Sequence, residues 1–340
     1  MSNNDHSILS LSSILPPSAS PGPTKPLSSP LQILGPLPPT APLHLALDYI
    51  ASQDRWQSSY GLDRSALRPT AVTTDSNRLG AETVKTTKAL VITGNKRQYQ
   101  YSIEHEDEDW MRSHGGSFAV IQKLKKIDMR YCPSPKHLQL LLSLVSSVES
   151  GKTSNGESVV VDSPPGLIIL WDIAGLFMAD GHLSDQGRQN IFKPGTCISD
   201  YLNTLAAARA TVDYFSKSCP SAKNCLLVVF EPRLTLDMTL PVQAALSVEG
   251  EGDEATNFIR KKSIPLIDGI RWLMGQEAVG VVKHLATEDR EGEEVFELTF
   301  EVTLEKFHMR RRLCPQNVDG KNDNVRDVPW HRQSWQWEWI

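Results

Sequence analysis

An apolar run without polar alternation, Leu167–Leu170, sits inside Pro164–Phe177 (PPGLIILWDIAGLF) and leaves the chain few ways to fold. Such a run suits a strand covered on both faces, the pattern of a central strand in a parallel α/β sheet. It ends in Trp171-Asp172. An acid at the carboxyl end of such a strand points into the crevice where open α/β sheets bind ligands. In P-loop NTPases that acid helps to hold Mg²⁺. The plainer alternative is a buried strand whose Asp172 caps the next turn.

Upstream, Leu31–Leu34 reads as a short apolar strand, followed by the loop Gly35-Pro36-Leu37-Pro38-Pro39-Thr40-Ala41-Pro42. Pro42 suits the first turn of a helix, where its missing N–H costs nothing. Leu43, Ala46, Leu47, Ile50 and Ala51 then recur at helical spacing. Strand, eight-residue loop and helix is the setting of a P-loop, GxxxxGK[ST]. In register, Gly35 matches the first glycine, while Thr40 replaces the second, Ala41 the lysine and Pro42 the Ser/Thr. A phosphate cradle needs inward backbone N–H groups, a lysine and a hydroxyl, and proline removes N–H donors. The stretch is either a P-loop that has lost its phosphate grip or simply a proline-rich loop. Gly151-Lys152-Thr153 spells the end of the same motif but lacks a preceding strand and a following helix, so it reads as a polar loop.

The remaining elements follow in order. Ten of the chain's 22 prolines lie at or before Pro42, and residues 1–30 read as a disordered or extended Ser/Pro-rich tail. A core spans 31–309, with a polar insertion at about 52–87. Lys88–Gly94 and Ile127–Tyr131 are strand candidates, and Glu104–Asp109 is an acidic, solvated loop. Ser134-Pro135 starts a helix with the apolar stripe Leu138, Leu141, Leu142, Val145 and Val148. After Asp172 comes a long segment, 173–199. A helix over Asp200–Phe215, a core strand over Asn224–Phe230 and a second long segment, 231–263, follow it. Ile270–Met274 reads as a strand or a short helix, with the strand preferred. Ala278–Lys283 and Val295–Leu304 form antiparallel sheet, the latter with a clean period of two. Residues 310–340 read as a basic, Trp-rich tail.

Composition narrows the function classes. Net charge is −5, so the chain as a whole is no polyanion binder. Five widely spaced cysteines without a CxxC pair argue against structural zinc and a disulfide framework, and favour a reducing compartment. No apolar run approaches the ~20 residues of a membrane span, and the N-terminus lacks the features of a secretory signal. No GxSxG or HExxH motif is present, so no catalytic residue is assigned.

P-loop position, strand, helix, acid-ended strand, long loop, helix, strand, long loop and a β-rich end together resemble the RecA-family recombinase core, over roughly residues 31–305. The segments KIDMRYCPSPKHLQLLLSL and PPGLIILWDIAGLF look most like the divergent recombinase paralogues of Shu-type complexes. The resemblance implies an α/β fold with a mostly parallel central sheet flanked by helices and an antiparallel C-terminal end. It implies a subunit that pairs with a SWIM-domain protein, promotes recombinase filament assembly on single-stranded DNA and works in the nucleus. Active members keep GK[ST]. This chain departs from it at Thr40, Ala41 and Pro42, so a pseudo-ATPase without ATP or Mg²⁺ is expected and Asp172 reads as structural. The family's DNA-contacting loops correspond to 173–199 and 231–263. The expected DNA contacts are therefore Arg188 and Lys193 in the first and Arg260, Lys261 and Lys262 at the end of the second, against the alternative of solvated surface. The acidic run Glu249–Glu254 nearby would repel phosphate.

Arg310, Arg311 and Arg312 form a second basic candidate, with nuclear import or plain surface as alternatives. Trp330, Trp335, Trp337 and Trp339 read as an anchor on the protein's own core, a partner-binding segment, or stacking platforms for bases. In an extended strand the last three would face one way. Two other functions fit the pattern: a RecA-like subunit of the Elongator tRNA-modification assembly, and a working ATPase with an unorthodox loop.

Overall fold

The computed structural model describes residues 30–51, 53, 88–106, 116–147, 164–179, 192–218, 225–242, 263–285, 293–300, 305–315 and 333–339. Eleven strands carry the architecture: β1 Leu31–Leu34, β2 Ala89–Thr93, β3 Ile127–Tyr131, β4 Leu167–Trp171, β5 Leu226–Glu231, β6 Thr239–Pro241, β7 Ser263–Pro265, β8 Val279–Leu285, β9 Glu293–Phe300, β10 Glu305–Pro315 and β11 Gln333–Trp339. Nine of them form one sheet in the order β11-β10-β9-β8-β1-β5-β4-β2-β3. The run β8-β1-β5-β4-β2-β3 pairs entirely in parallel, and β8 through β11 pair antiparallel. The fold is therefore α/β with a mostly parallel centre and an antiparallel C-terminal end, as the apolar runs and the period of two predict.

Continuous apolar sequence produces the central strands because both of their faces are covered. Every residue of β1, β2 and β4 is buried. Alternate side chains enter two cores. Ile168 and Leu170 point to one, beneath helices α4 (Pro135–Ser147), α5 (Ile198–Ser218) and α6 (Leu266–Met274). Leu167, Ile169 and Trp171 point to the other, beneath α1 (residues 41–51) and Tyr99 of α2 (Lys96–Glu106). A seven-residue helix, α3 (Phe118–Leu124), precedes β3. The result is a helix–sheet–helix sandwich.

Ser134 starts α4 as its sequence suggests: its Oγ accepts the His137 N–H at 3.4 Å. In β9, Phe296, Leu298 and Phe300 are buried while their alternates are half-exposed. Four expectations change. Glu104–Glu106, expected to open an acidic loop, are the last residues of α2. Ile270–Met274 is not a strand but the end of α6, whose buried Leu266, Ile267, Ile270 and Met274 follow helical spacing between Pro265 and a left-handed Gly275 (φ 101°). The strand expected over Val295–Leu304 ends at Phe300, and β10 begins at Glu305. The boundary expected at 309/310 falls inside β10, and β11 pairs back onto it, Trp335 opposite Leu313 and Trp337 opposite Arg311. Residues 310–315 and 333–339 are thus sheet rather than tail. The 52–87 insertion (apart from position 53), residues 1–29 and Gly151–Thr153 lie outside the described residues.

Candidate functional site: a closed corner at the carboxyl edge

Parallel pairing brings the ends of β1, β4 and β5 to one edge, with β5 between the other two. The stitching is by backbone: Gly35 N–H donates to Glu231 O at 3.1 Å, and Asp172 N–H to Phe230 O at 2.8 Å. The Gly35–Pro42 loop, Asp172 and Glu231 are therefore neighbours on the rim, although the sequence separates them widely.

Asp172 leaves β4 with φ 55°, the left-handed region that Asp tolerates better than most residues. The turn aims its carboxylate at Arg233, two residues past the end of β5. Arg233 Nε donates to Oδ1 at 2.8 Å and Nη2 to Oδ2 at 2.6 Å, a bidentate fork. The Asp172 side chain is only 16% exposed. Burial lifts its pKa above the usual carboxylate range against the pull of Arg233. Gly175 leaves the room for this fork, since a Cβ at that position would displace the Arg233 guanidinium.

Glu231 is wholly buried beside this pair. Its Oε2 accepts the Ala174 N–H at 3.0 Å, and its Oε1 accepts the Tyr201 hydroxyl at 2.8 Å. Gln32 of β1 donates to Tyr201 Oη at 2.9 Å, while its own Oε1 meets no partner. Burial, then the charge of Asp172, push Glu231 up to about 8. Burial and Glu231 likewise raise Tyr201 well above the ordinary phenol. At neutral pH the corner thus holds one ion pair, Asp172–Arg233, beside a protonated Glu231.

The loop at the P-loop position is packed rather than open. Gly35 has φ 101° and lies so close to β8 that a Cβ would strike the Val282 carbonyl. Pro38, Pro39, Thr40, Ala41 and Pro42 are buried, and Ala41 belongs to the core under α1. Four of the eight residues have no N–H. The Gly35 N–H goes to Glu231, and the Ala41 N–H to Pro38 O at 2.9 Å. Only Leu37 and Thr40 retain N–H groups beyond those, too few for a phosphate cradle, and Arg233 already supplies the countercharge to Asp172. These residues do not fit a Mg²⁺-nucleotide. Among the described residues no group of three or more His, Cys, Asp or Glu is arranged to hold a metal ion.

Of the expected DNA contacts, Lys193 is described. Its Nζ donates to Leu176 O at 3.1 Å, beside the 3₁₀ turn that follows Asp172. Arg310, Arg311 and Arg312 are consecutive positions of β10, and Trp335, Trp337 and Trp339 alternate along β11. Arg188, Arg260, Lys261, Lys262 and Trp330 lie outside the described residues. The structure joins Asp172 to Gly35–Pro42 and leaves β10 and β11 at the far antiparallel edge of the sheet.

Sequence reasoning missed Gln32, Tyr201, Glu231 and Arg233. Glu231 carries the same signal as Asp172, an acid directly ending an apolar run (LLVVFE). Tyr201 and Gln32 give no such signal, because their partners are 30 and 169 residues away. Compared with protein-family models and with curated protein sequences, the chain matches none.

Proposed function

We propose that the chain is a non-catalytic, RecA-like subunit of a recombination-mediator complex. It acts by binding: it pairs with a SWIM-domain protein and supports recombinase assembly on single-stranded DNA in homologous-recombination repair, in the nucleus. The observation that carries the reading is the closed corner. The loop after β1 and the acid after β4 share one rim, with β5 between them, so the two motif positions face the same crevice. That rim is nonetheless filled by prolines and neutralised by Arg233. A nucleotide-site architecture kept without its chemistry fits a subunit that works through its surfaces. The choice of recombination rests on the resemblance of Ile127–Val148 and Pro164–Phe177 to Shu-type paralogues. DNA contact is assigned to Arg188, Lys193, Arg260, Lys261, Lys262 and Arg310–Arg312, and partner contact to Trp330, Trp335, Trp337 and Trp339.

The test is an affinity purification of the tagged full-length protein from its own cells, with mass spectrometry of the eluate. A SWIM-domain protein or a recombinase is the expected companion. Elongator subunits, or no stable partner, would overturn the mediator reading.

A further inference from the structure

On the same carboxyl edge, on the side of β4 opposite to β5, β2 and β3 end side by side. Thr93 and Tyr131 are register partners, and the Cys132 N–H donates to Thr93 O at 2.9 Å. From these ends the chain departs to opposite faces of the sheet, into α2 on one side and α4 on the other. The flanking side chains are Lys96 and Arg97 at the start of α2 and Lys136 at the start of α4, all exposed. None of the three forms an ion pair among the described residues. Neither helix has an acid in its first turn. Cations are disfavoured at that end of a helix, where the dipole already leaves positive potential. Among the described residues no acid compensates the three cations, and local rules broken without such compensation point to function.

Aromatic rings are interleaved with these charges. Lys96 Nζ lies 5.6 Å from the centroid of the half-exposed Tyr131 ring. Tyr101, 55% exposed, sits one helical turn after Arg97 on the same face of α2. Arg130, on edge strand β3, continues the cationic track, although Asp128 pairs with it at 2.8 Å.

We infer that Lys96, Arg97 and Lys136, with Tyr131 and Tyr101, form a binding surface for single-stranded nucleic acid, the cations meeting phosphates and the rings meeting bases. Cationic grooves with ring platforms are the physical requirement for sequence-tolerant strand binding. An acidic peptide would satisfy the cations but would leave the exposed rings unused. This surface is separate from the loops assigned to DNA above, and rests on the mediator reading only for choosing DNA as the probe.

The experiment is fluorescence anisotropy of a labelled thirty-nucleotide oligo(dT) with the full-length protein, titrated at 50 and 200 mM salt. The variants are the triple K96A/R97A/K136A, Tyr101→Ala, and K217A/K283A, which removes two exposed lysines elsewhere. At about 0.7 per phosphate contact, the triple change should lower the slope of log K against log salt by about 2. It should also weaken binding at least tenfold at 50 mM. Y101A should weaken binding without changing the salt slope, and K217A/K283A should match the wild type. A triple variant that binds like the wild type, or a control that falls equally, overturns the inference. If R260A/K261A/K262A alone abolishes binding, the inference fails while the mediator reading stands. Retained companions in the affinity purification of K96A/R97A/K136A show that this variant is folded.

Discussion

Replacing Glu231 with glutamine should remove a pH dependence of stability that the wild type carries. Its carboxyl ordinarily titrates at 4.5, and in the fold burial and the charge of Asp172 raise it to about 8. Between those values the folded chain keeps a proton that the unfolded chain has released. Stability from this group is therefore full below about pH 4.5, declines as pH rises, and is gone above about 8. The slope is about 1.4 kcal/mol per pH unit, and the whole window amounts to about 5 kcal/mol. That is a large part of the 5–15 kcal/mol typical of a domain. Glutamine mimics the protonated acid: its oxygen accepts from Ala174 N–H and its amide donates to Tyr201. Urea denaturation of both proteins at pH 5 through 9, followed by the fluorescence of buried Trp171, measures the difference. The wild type should lose about 4 kcal/mol more than E231Q between pH 5 and 9, since part of the window lies below pH 5. A difference that stays flat across the range would refute the assignment of a protonated carboxyl at this position.

Three further outcomes follow from the same corner. Arg233→Met should destabilise by about 3 kcal/mol, because it leaves the Asp172 charge buried and unpaired, and adding Asp172→Asn should recover much of that loss in a double-mutant cycle. Gly35→Ala should cost about 2 kcal/mol or more in denaturant unfolding, from positive φ combined with a Cβ forced onto the Val282 carbonyl. Millimolar Mg-ATP should leave the thermal midpoint unchanged, whereas a site filled at 100 times its Kd would add about 2.7 kcal/mol.

The central strands were legible because burial on both faces writes an unbroken apolar run, and β9 because burial on one face writes alternation. In α6 the preferred strand gave way to a helix: in a run of nine residues the helical spacing of Leu266, Ile267, Ile270 and Met274 is hard to tell from a strand. The flanking proline and glycine were the better guide. Within the site, Asp172 and the Gly35 loop were visible as local patterns. Arg233 was not, since an arginine two residues beyond a strand resembles any surface cation until the crossover places β5 against β4. Tyr201 lies in a helix that the sequence does show, but its hydroxyl acquires meaning only from Glu231.

Arg233 also changes what kind of object this corner is. A metal ion is a visitor, present in proportion to its concentration outside. A guanidinium tethered to the end of the neighbouring strand is a permanent resident, and a short tether holds it at an effective concentration in the millimolar range or above. The charge on Asp172 is thus answered from the moment the sheet forms, whatever the ionic make-up of the surroundings. In place of a two-state device that cycles as ligand comes and goes, the rim is a fixed part of the frame.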